Sequence, residues 1–322
     1  MIAILFTGGT ISMKFDPKVG AVVPALSATE ILAAAPGIHE VAPLEPEQWG
    51  AHPGPHMTVE RQWLLRQAIL ERLARPDITG VVVTHGTDTL EETAYLVARS
   101  VGGAKPVVFT GAMRNASDLG WDGPANLIDA VRVAANPEAE GYGCMVVMAS
   151  RVYSALDVTK AHTHILDAFE SPGLGPVGVI DDGQVIFRRA LPGAPPLLAP
   201  AEPATPVDIV GSWSGADSRL LDASRKDARG VVVAAMGRGN VPPLMVPGIE
   251  RFVRDGKPVV IASRALRGRV GVTYGYPGGG KRLAEAGAIF AGGRRALQAR
   301  VDLMLALGFG LDVHEIRELF AT

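Results

Sequence analysis

Cysteine is almost absent from this chain. Cys144 is the single one in 322 residues, which excludes an intramolecular disulfide and a cysteine-rich metal centre. Net charge is nearly absent too: at −2 the chain is neither a basic nucleic-acid coat nor a polybasic membrane anchor. Long apolar runs are also missing. Residues 1–6 carry no basic flank and stop at Thr7-Gly8-Gly9, short of the roughly 7–15 residues of a secretory core. Residues 231–236 and 258–262 fall far below the roughly 18 needed to cross a bilayer. These absences lead to the expectation of a soluble, cytoplasmic protein with no membrane partner and no nucleic-acid partner. The glycines follow no G-X-Y period, which excludes collagen, and a 48% hydrophobic composition excludes disorder.

What is present is glycine, 38 residues of it, and 24 prolines. The glycines punctuate a rhythm. Residues 2–6 run into Thr7-Gly8-Gly9-Thr10, 80–84 into His85-Gly86-Thr87-Asp88, and 106–110 into Gly111-Ala112-Met113. Residues 144–148 follow a helix-like stretch at 124–135. Short β-branched runs alternating with helices describe parallel strands covered on both faces, an open α/β sheet. Past Thr87, Asp88 and Thr89 stand three residues before Glu91 and Glu92. That spacing predicts a helix opened by overlapping capping boxes, with Leu90, Ala94, Val97 and Val101 as its apolar stripe. Asp182-Gly183 between two apolar runs predicts a hairpin.

Prolines at 192, 195, 196, 200, 203 and 206 cannot continue a helix or central strand, so 191–206 reads as a semi-rigid linker. It divides a larger N-terminal catalytic domain, residues 1–190, from a smaller C-terminal domain, 207–322. In the latter, strands near 207–210, 231–235 and 259–262 alternate with helices near 217–228, 244–254, 294–307 and 312–320. The expected fold class is α/β: an open, mostly parallel N-terminal sheet plus a smaller C-terminal α/β domain.

Two of the glycine turns carry threonines at the carboxyl ends of predicted strands, the edge where open α/β sheets bind ligands. Glycine there exposes backbone N–H groups, and a hydroxyl held beside such donors is placed for nucleophilic attack. The hydroxyl needs a base. Lysine serves in a desolvated site, and only seven lysines occur against 24 arginines. Lys160, in Asp157-Val158-Thr159-Lys160, lies where the same edge is within reach.

Thr7-Gly8-Gly9-Thr10-Ile11, His85-Gly86-Thr87-Asp88-Thr89 and Asp157-Val158-Thr159-Lys160 together resemble the three signatures of the bacterial-type L-asparaginase family, cytoplasmic-like branch, in order and spacing. Asp122-Gly123-Pro124-Ala125-Asn126-Leu127 and Gly237-Arg238-Gly239-Asn240 extend the resemblance over nearly the whole chain. It implies hydrolysis of L-asparagine to L-aspartate and ammonia through an acyl-threonine, with no cofactor and no metal. Thr10 would be the nucleophile. Thr87, Asp88 and Lys160 would form a proton-handling triad, and Asp88 would also bind the substrate ammonium. The backbone N–H groups near Thr87 and Ala112 would stabilise the oxyanion. Gly9, Gly54, Pro55, His56 and Asn240 complete the implied substrate-binding set. The resemblance also implies a homodimer or homotetramer with sites at subunit interfaces, where Asn240 would reach a neighbour.

The chain departs from the family pattern in three places. Val22 stands where a loop tyrosine is usual, with Tyr274 or Tyr276 as the candidate replacements. Gly54 replaces a carboxylate-binding serine and His56 an aspartate, in Gly54-Pro55-His56-Met57. No match is found for the glutamate that some relatives supply from a neighbouring subunit. These departures keep open a glutaminase, another small-amide hydrolase, or a catalytically weak amino-acid-binding module. An amidotransferase-type subunit is disfavoured because the chain starts at its first strand. The glycine loop at 275–281 resembles a phosphate loop but has Arg282 where serine or threonine should hold magnesium. His162 and His164, two apart, would share a face on a strand, yet no cysteine cluster or H-E-x-x-H supports a metal.

Overall fold

The computed structural model describes residues 1–191 and 197–321. Pro192, Pro195 and Pro196 of the expected linker lie outside the described residues. By its contacts the chain divides into two compact units, Met1–Leu197 and Leu198–Thr322.

In the first unit the strands are β1 (Ile2–Gly8), β2 (Met13–Asp16), β3 (Ala21–Pro24), β4 (Leu44–His52), β5 (Gly80–Thr84) and β6 (Val107–Thr110). There follow β7 (Cys144–Met148), β8 (Arg151–Ser154), β9 (Thr159–Lys160), β10 (Phe169–Glu170), β11 (Gly178–Asp181) and β12 (Gln184–Phe187). The helices are α1 (Ala28–Ala33), α2 (Ile38–Val41), α3 (Val59–Leu73), α4 (Leu90–Ser100) and α5 (Gly123–Ala135). One eight-stranded sheet has the order β12-β11-β8-β7-β6-β5-β1-β4. From β4 to β7 neighbouring strands are parallel; β8, β11 and β12 add on antiparallel.

Alternation along each parallel strand builds both cores. Ile2, Ile4, Phe6, Val82 and Val108 face α1 and α5 through Ile31, Leu127 and Val131. Ala3, Leu5, Val81, Val83 and Phe109 face α3 and α4 through Leu65, Ile69, Ala94 and Val97. Side chains two apart share a sheet face, so a continuous apolar run supplies two cores at once. β1 lies between β4 and β5 in the sheet, although β4 follows it and β5 comes later still. The chain therefore changes direction beside β1, the switch point where a crevice opens at the strand ends.

Several local expectations fare differently. The 182–183 hairpin forms with Asp182 and Gly183 at φ 47° and 74°, both left-handed, as a two-residue turn requires. α4 begins where expected, but no capping box opens it: its N-cap Thr89 makes no cap bond. The Thr89 hydroxyl donates instead to the Gly54 carbonyl at 2.8 Å, joining two loops rather than capping its own helix. Residues 161–168 form a loop between β9 and β10, so His162 and His164 do not share a strand face. His162 Nδ1 accepts from the His164 and Ile165 N–H groups, which turns the chain.

The second unit contains β13 (Val207–Gly211), β14 (Gly230–Ala235), β15 (Val259–Ser263) and β16 (Ile289–Arg295), all parallel and in sequence order. α6 (Arg219–Arg225), α7 (Val246–Arg254) and α8 (Gly280–Glu285) precede α9 (Ala296–Phe309) and α10 (Val313–Ala321). Val231, Val233 and Ile261 pack against Leu221, Ile249 and Phe252 of α6 and α7. The stretch before β13 belongs to this unit, with the Ala204 N–H donating to the Met304 carbonyl of α9 at 2.9 Å.

Candidate active site

Four strand-end loops meet at the carboxyl edge of the eight-stranded sheet, those after β1, β4, β5 and β6. Glycine makes the meeting possible. A Cβ on Gly9 would lie 2.5 Å from the Gly86 Cα, and one on Gly86 would lie 2.5 Å from the Gly54 Cα. Three backbones are therefore stacked at a distance that no side chain permits. Gly9 adds a second requirement, φ 83° with ψ −177°, a conformation essentially confined to glycine. The stack places Thr10 and Thr87, each the next residue along, on touching turns. Thr10 opens a short 3₁₀ turn, Thr10–Ser12, that the Ser12 hydroxyl closes onto the Gly9 carbonyl at 2.9 Å.

Lys160 comes from a distant part of the chain. Its Nζ donates to Thr87 Oγ1 at 3.0 Å and to Asp88 Oδ1 at 2.6 Å, across sequence separations of 73 and 72 residues. The lysine side chain is 15% exposed and that of Asp88 58%, so the pair runs from interior to surface. Among the described residues the second Asp88 carboxylate oxygen has no hydrogen-bond partner.

The 85–88 turn is held from behind by His85. Its ring is fully buried, 6.0 Å from that of Phe109, and Nδ1 lies 2.9 Å from the Gly86 carbonyl. A carbonyl only accepts, so Nδ1 carries the hydrogen and Nε2 is bare, without a partner among the described residues. Burial pushes the His85 pKa down to about 4, against the smaller opposing effect of the bond to Gly86. The ring is neutral at physiological pH.

The remaining expected residues are placed as follows. Gly54 is buried at the start of a 3₁₀ turn, Gly54–His56, and Pro55 and His56 are exposed on it. Ala112 is fully buried, so it offers a ligand only its backbone. Asn240 lies in the second unit, where its side-chain oxygen accepts from the Gly280 N–H at 3.2 Å. Val22 is exposed on β3, paired with Phe15 of β2. Tyr274 and Tyr276 lie in the second unit with their rings 5.5 Å apart. A cavity of about 290 Å³ lined by Asp88, Glu91, Lys160 and His162 adjoins the lysine–aspartate pair. Among the described residues no group of three His, Cys, Asp or Glu could hold a metal ion, and no helix is long and apolar enough to cross a membrane. The sequence pointed to no role for His85, and for Thr89 to a helix cap rather than the bond to Gly54. The signal for both was their place inside a strand-end motif whose other residues had been read.

Comparison with known proteins gives a consistent result. The family profile described as "Asparaginase, N-terminal" matches residues 1–192, and "Glutaminase/Asparaginase C-terminal domain" matches 206–320. A probable L-asparaginase of Deinococcus radiodurans is 37% identical over 99% of this chain and 96% of its own. An L-asparaginase of Bacillus licheniformis is 33% identical over 95% of each. The crystal structure of a probable cytoplasmic L-asparaginase from Campylobacter jejuni superimposes with a TM-score of 0.89 at 34% identity, covering 100% of this chain and 99% of that one.

Proposed function

We propose, from the premise that this chain belongs to the bacterial-type asparaginase family and is an asparaginase-type amidohydrolase, that its substrate is L-asparagine and its intermediate an acyl-threonine. The observation that carries this reading is the single lysine nitrogen shared between Thr87 and Asp88, beside a turn that touches the one bearing Thr10. Thr10 Oγ attacks the side-chain amide carbon. As that C–O bond forms, the C–N bond breaks and ammonia leaves with the hydroxyl proton. Water then attacks the ester, giving up a proton along Thr87 and Lys160, and releases L-aspartate and free Thr10. The free Asp88 oxygen pairs with the substrate ammonium. The N–H of Thr87, near the positive end of α4, supports the oxyanion, with the Ala112 backbone as the second donor. The binding set is completed by Gly9, Gly54, Pro55 and His56, and by Asn240 in a homodimer or homotetramer.

A second reading, a glutaminase or other small-amide hydrolase or a weakly catalytic binding module, draws on Gly54 and Val22, which stand where the resemblance expects a serine and a tyrosine. Ammonia release from asparagine, glutamine and a few β-amides separates the two. Wild type releases ammonia from asparagine, and Thr10→Ala lowers that rate by at least about a thousandfold. A folded wild type that turns over no amide overturns the enzymatic reading in favour of the binding module.

A further inference from the structure

The motif Asp122-Gly123-Pro124-Ala125-Asn126 marks the start of α5 and has no part in the reaction described above. Its side chains point away from the duties of a helix start. Asp122 occupies the N-cap position yet makes no cap bond. Its carboxylate instead accepts from the Met113 N–H at 3.1 Å, the Arg114 N–H at 2.8 Å and Asn126 Nδ2 at 2.9 Å. Asn126, one helical turn on and 3% exposed, donates the same nitrogen to the Gly111 carbonyl at 3.0 Å. Its oxygen accepts from the Ala149 N–H at 3.1 Å.

Residues 111–114 are thus gripped at both ends by one carboxylate–amide pair. Ala112, inside this loop, is fully buried, and its position is set by what holds its neighbours 111, 113 and 114. The loop also bears directly on the proton-handling threonine. A Cβ on Gly111 would lie 2.6 Å from the His85 carbonyl and 3.2 Å from the Thr87 methyl. On the other side of the motif, a Cβ on Gly123 would lie 2.7 Å from Ile11, the neighbour of Thr10. The turn at 149–150 that Asn126 also holds is itself strained, with Ala149 and Ser150 at φ 49° and 55°, and the Ser150 hydroxyl is tied to Asp129 at 3.0 Å.

We infer that Asp122 and Asn126 are positioning residues that clamp the 111–114 loop against Thr87 and so set the threonine pair for reaction. The inference rests on the amide-hydrolase reading of the site. Small displacements of a reacting group cost rate far more than affinity, because the loss falls on the aligned transition state. The clamp therefore acts on kcat.

The test compares wild type with Asp122→Asn, which keeps size and cap character, with Asn126→Ser, and with the double variant. The readouts are kcat and KM for asparagine and backbone amide exchange of Met113 and Arg114, followed by NMR. Each single variant is expected to lose about 10- to 100-fold in kcat with KM changed less than about threefold. Exchange at 113 and 114 should rise in step. The double variant should lose little more than the worse single one, since one clamp is broken either way. Folded variants with kcat within twofold of wild type overturn the inference, and so does a loss of kcat with exchange unchanged. Wild type inactive on every amide refutes the enzymatic reading instead, and the exchange data still report whether the clamp exists.

Discussion

At the scale of single residues, His85 shows how a buried group couples the site to pH. Folding lowers its pKa from the ordinary 6.5 to about 4, chiefly by burial. Above pH 6.5 it is neutral whether folded or not and contributes nothing to pH dependence. Between 6.5 and 4 the unfolded chain takes up a proton that the folded ring refuses, so stability falls as pH falls. The full loss below pH 4 is about 3 kcal/mol. His85→Asn keeps a nitrogen where Nδ1 stands and has nothing to titrate. Urea unfolding at pH 7 and pH 4.5 should therefore show a smaller loss in the variant than in wild type. An equal loss would place the pH sensitivity in other groups.

At the scale of elements, the strand-end loops depend on glycine where no local rule demands it. Gly86 has an ordinary φ, so its own backbone would accept alanine. The Gly54 backbone, 2.5 Å from where the Cβ would sit, would not. Gly86→Ala must push apart the loops after β4 and β5, and we expect a loss of roughly 2–4 kcal/mol in stability. We expect at least about a hundredfold loss in kcat for asparagine as well. Gly211→Ala is the control: nothing lies within 4 Å of its added Cβ, and stability should stay within about 0.5 kcal/mol. Paired urea melts and kinetics on the two variants check both statements.

The same scale explains which elements the sequence disclosed. Residues 81–83 and 107–109 are continuous apolar runs and announce buried strands. β4 runs Leu44-Glu45-Pro46-Glu47-Gln48-Trp49, with two glutamates in six residues, because it is the edge strand of the sheet and none of its residues is fully buried. Its composition hides it. Thr89 misled in the opposite direction: its spacing to Glu92 satisfied the capping rule, and only the approach of the Gly54 carbonyl gave its hydroxyl another partner.

At the scale of the whole molecule, the two units are each built on their own sheet, and the two family profiles fall one on each. The proposed homo-oligomer makes a direct prediction. Sedimentation equilibrium should give two or four times the 33.7 kDa chain mass, and a monomer at assay concentration with full activity would remove any need for a neighbour's Asn240.

The sequence by itself determined the family, the strand-end position of the threonines and the two-sided apolar strands. Each of these is written in residues close along the chain, as a run, a turn or a motif. Only the tertiary structure decided that Lys160 meets Thr87 and Asp88, that Gly9, Gly86 and Gly54 stack, and that Asp122 turns from its own helix to hold the 111–114 loop. Hydrogen bonds and backbone contacts act over about 3 Å, while the residues making these lie from 8 to more than 70 positions apart. Strand order and register set which of them come within that reach, and neither is a property of any one segment.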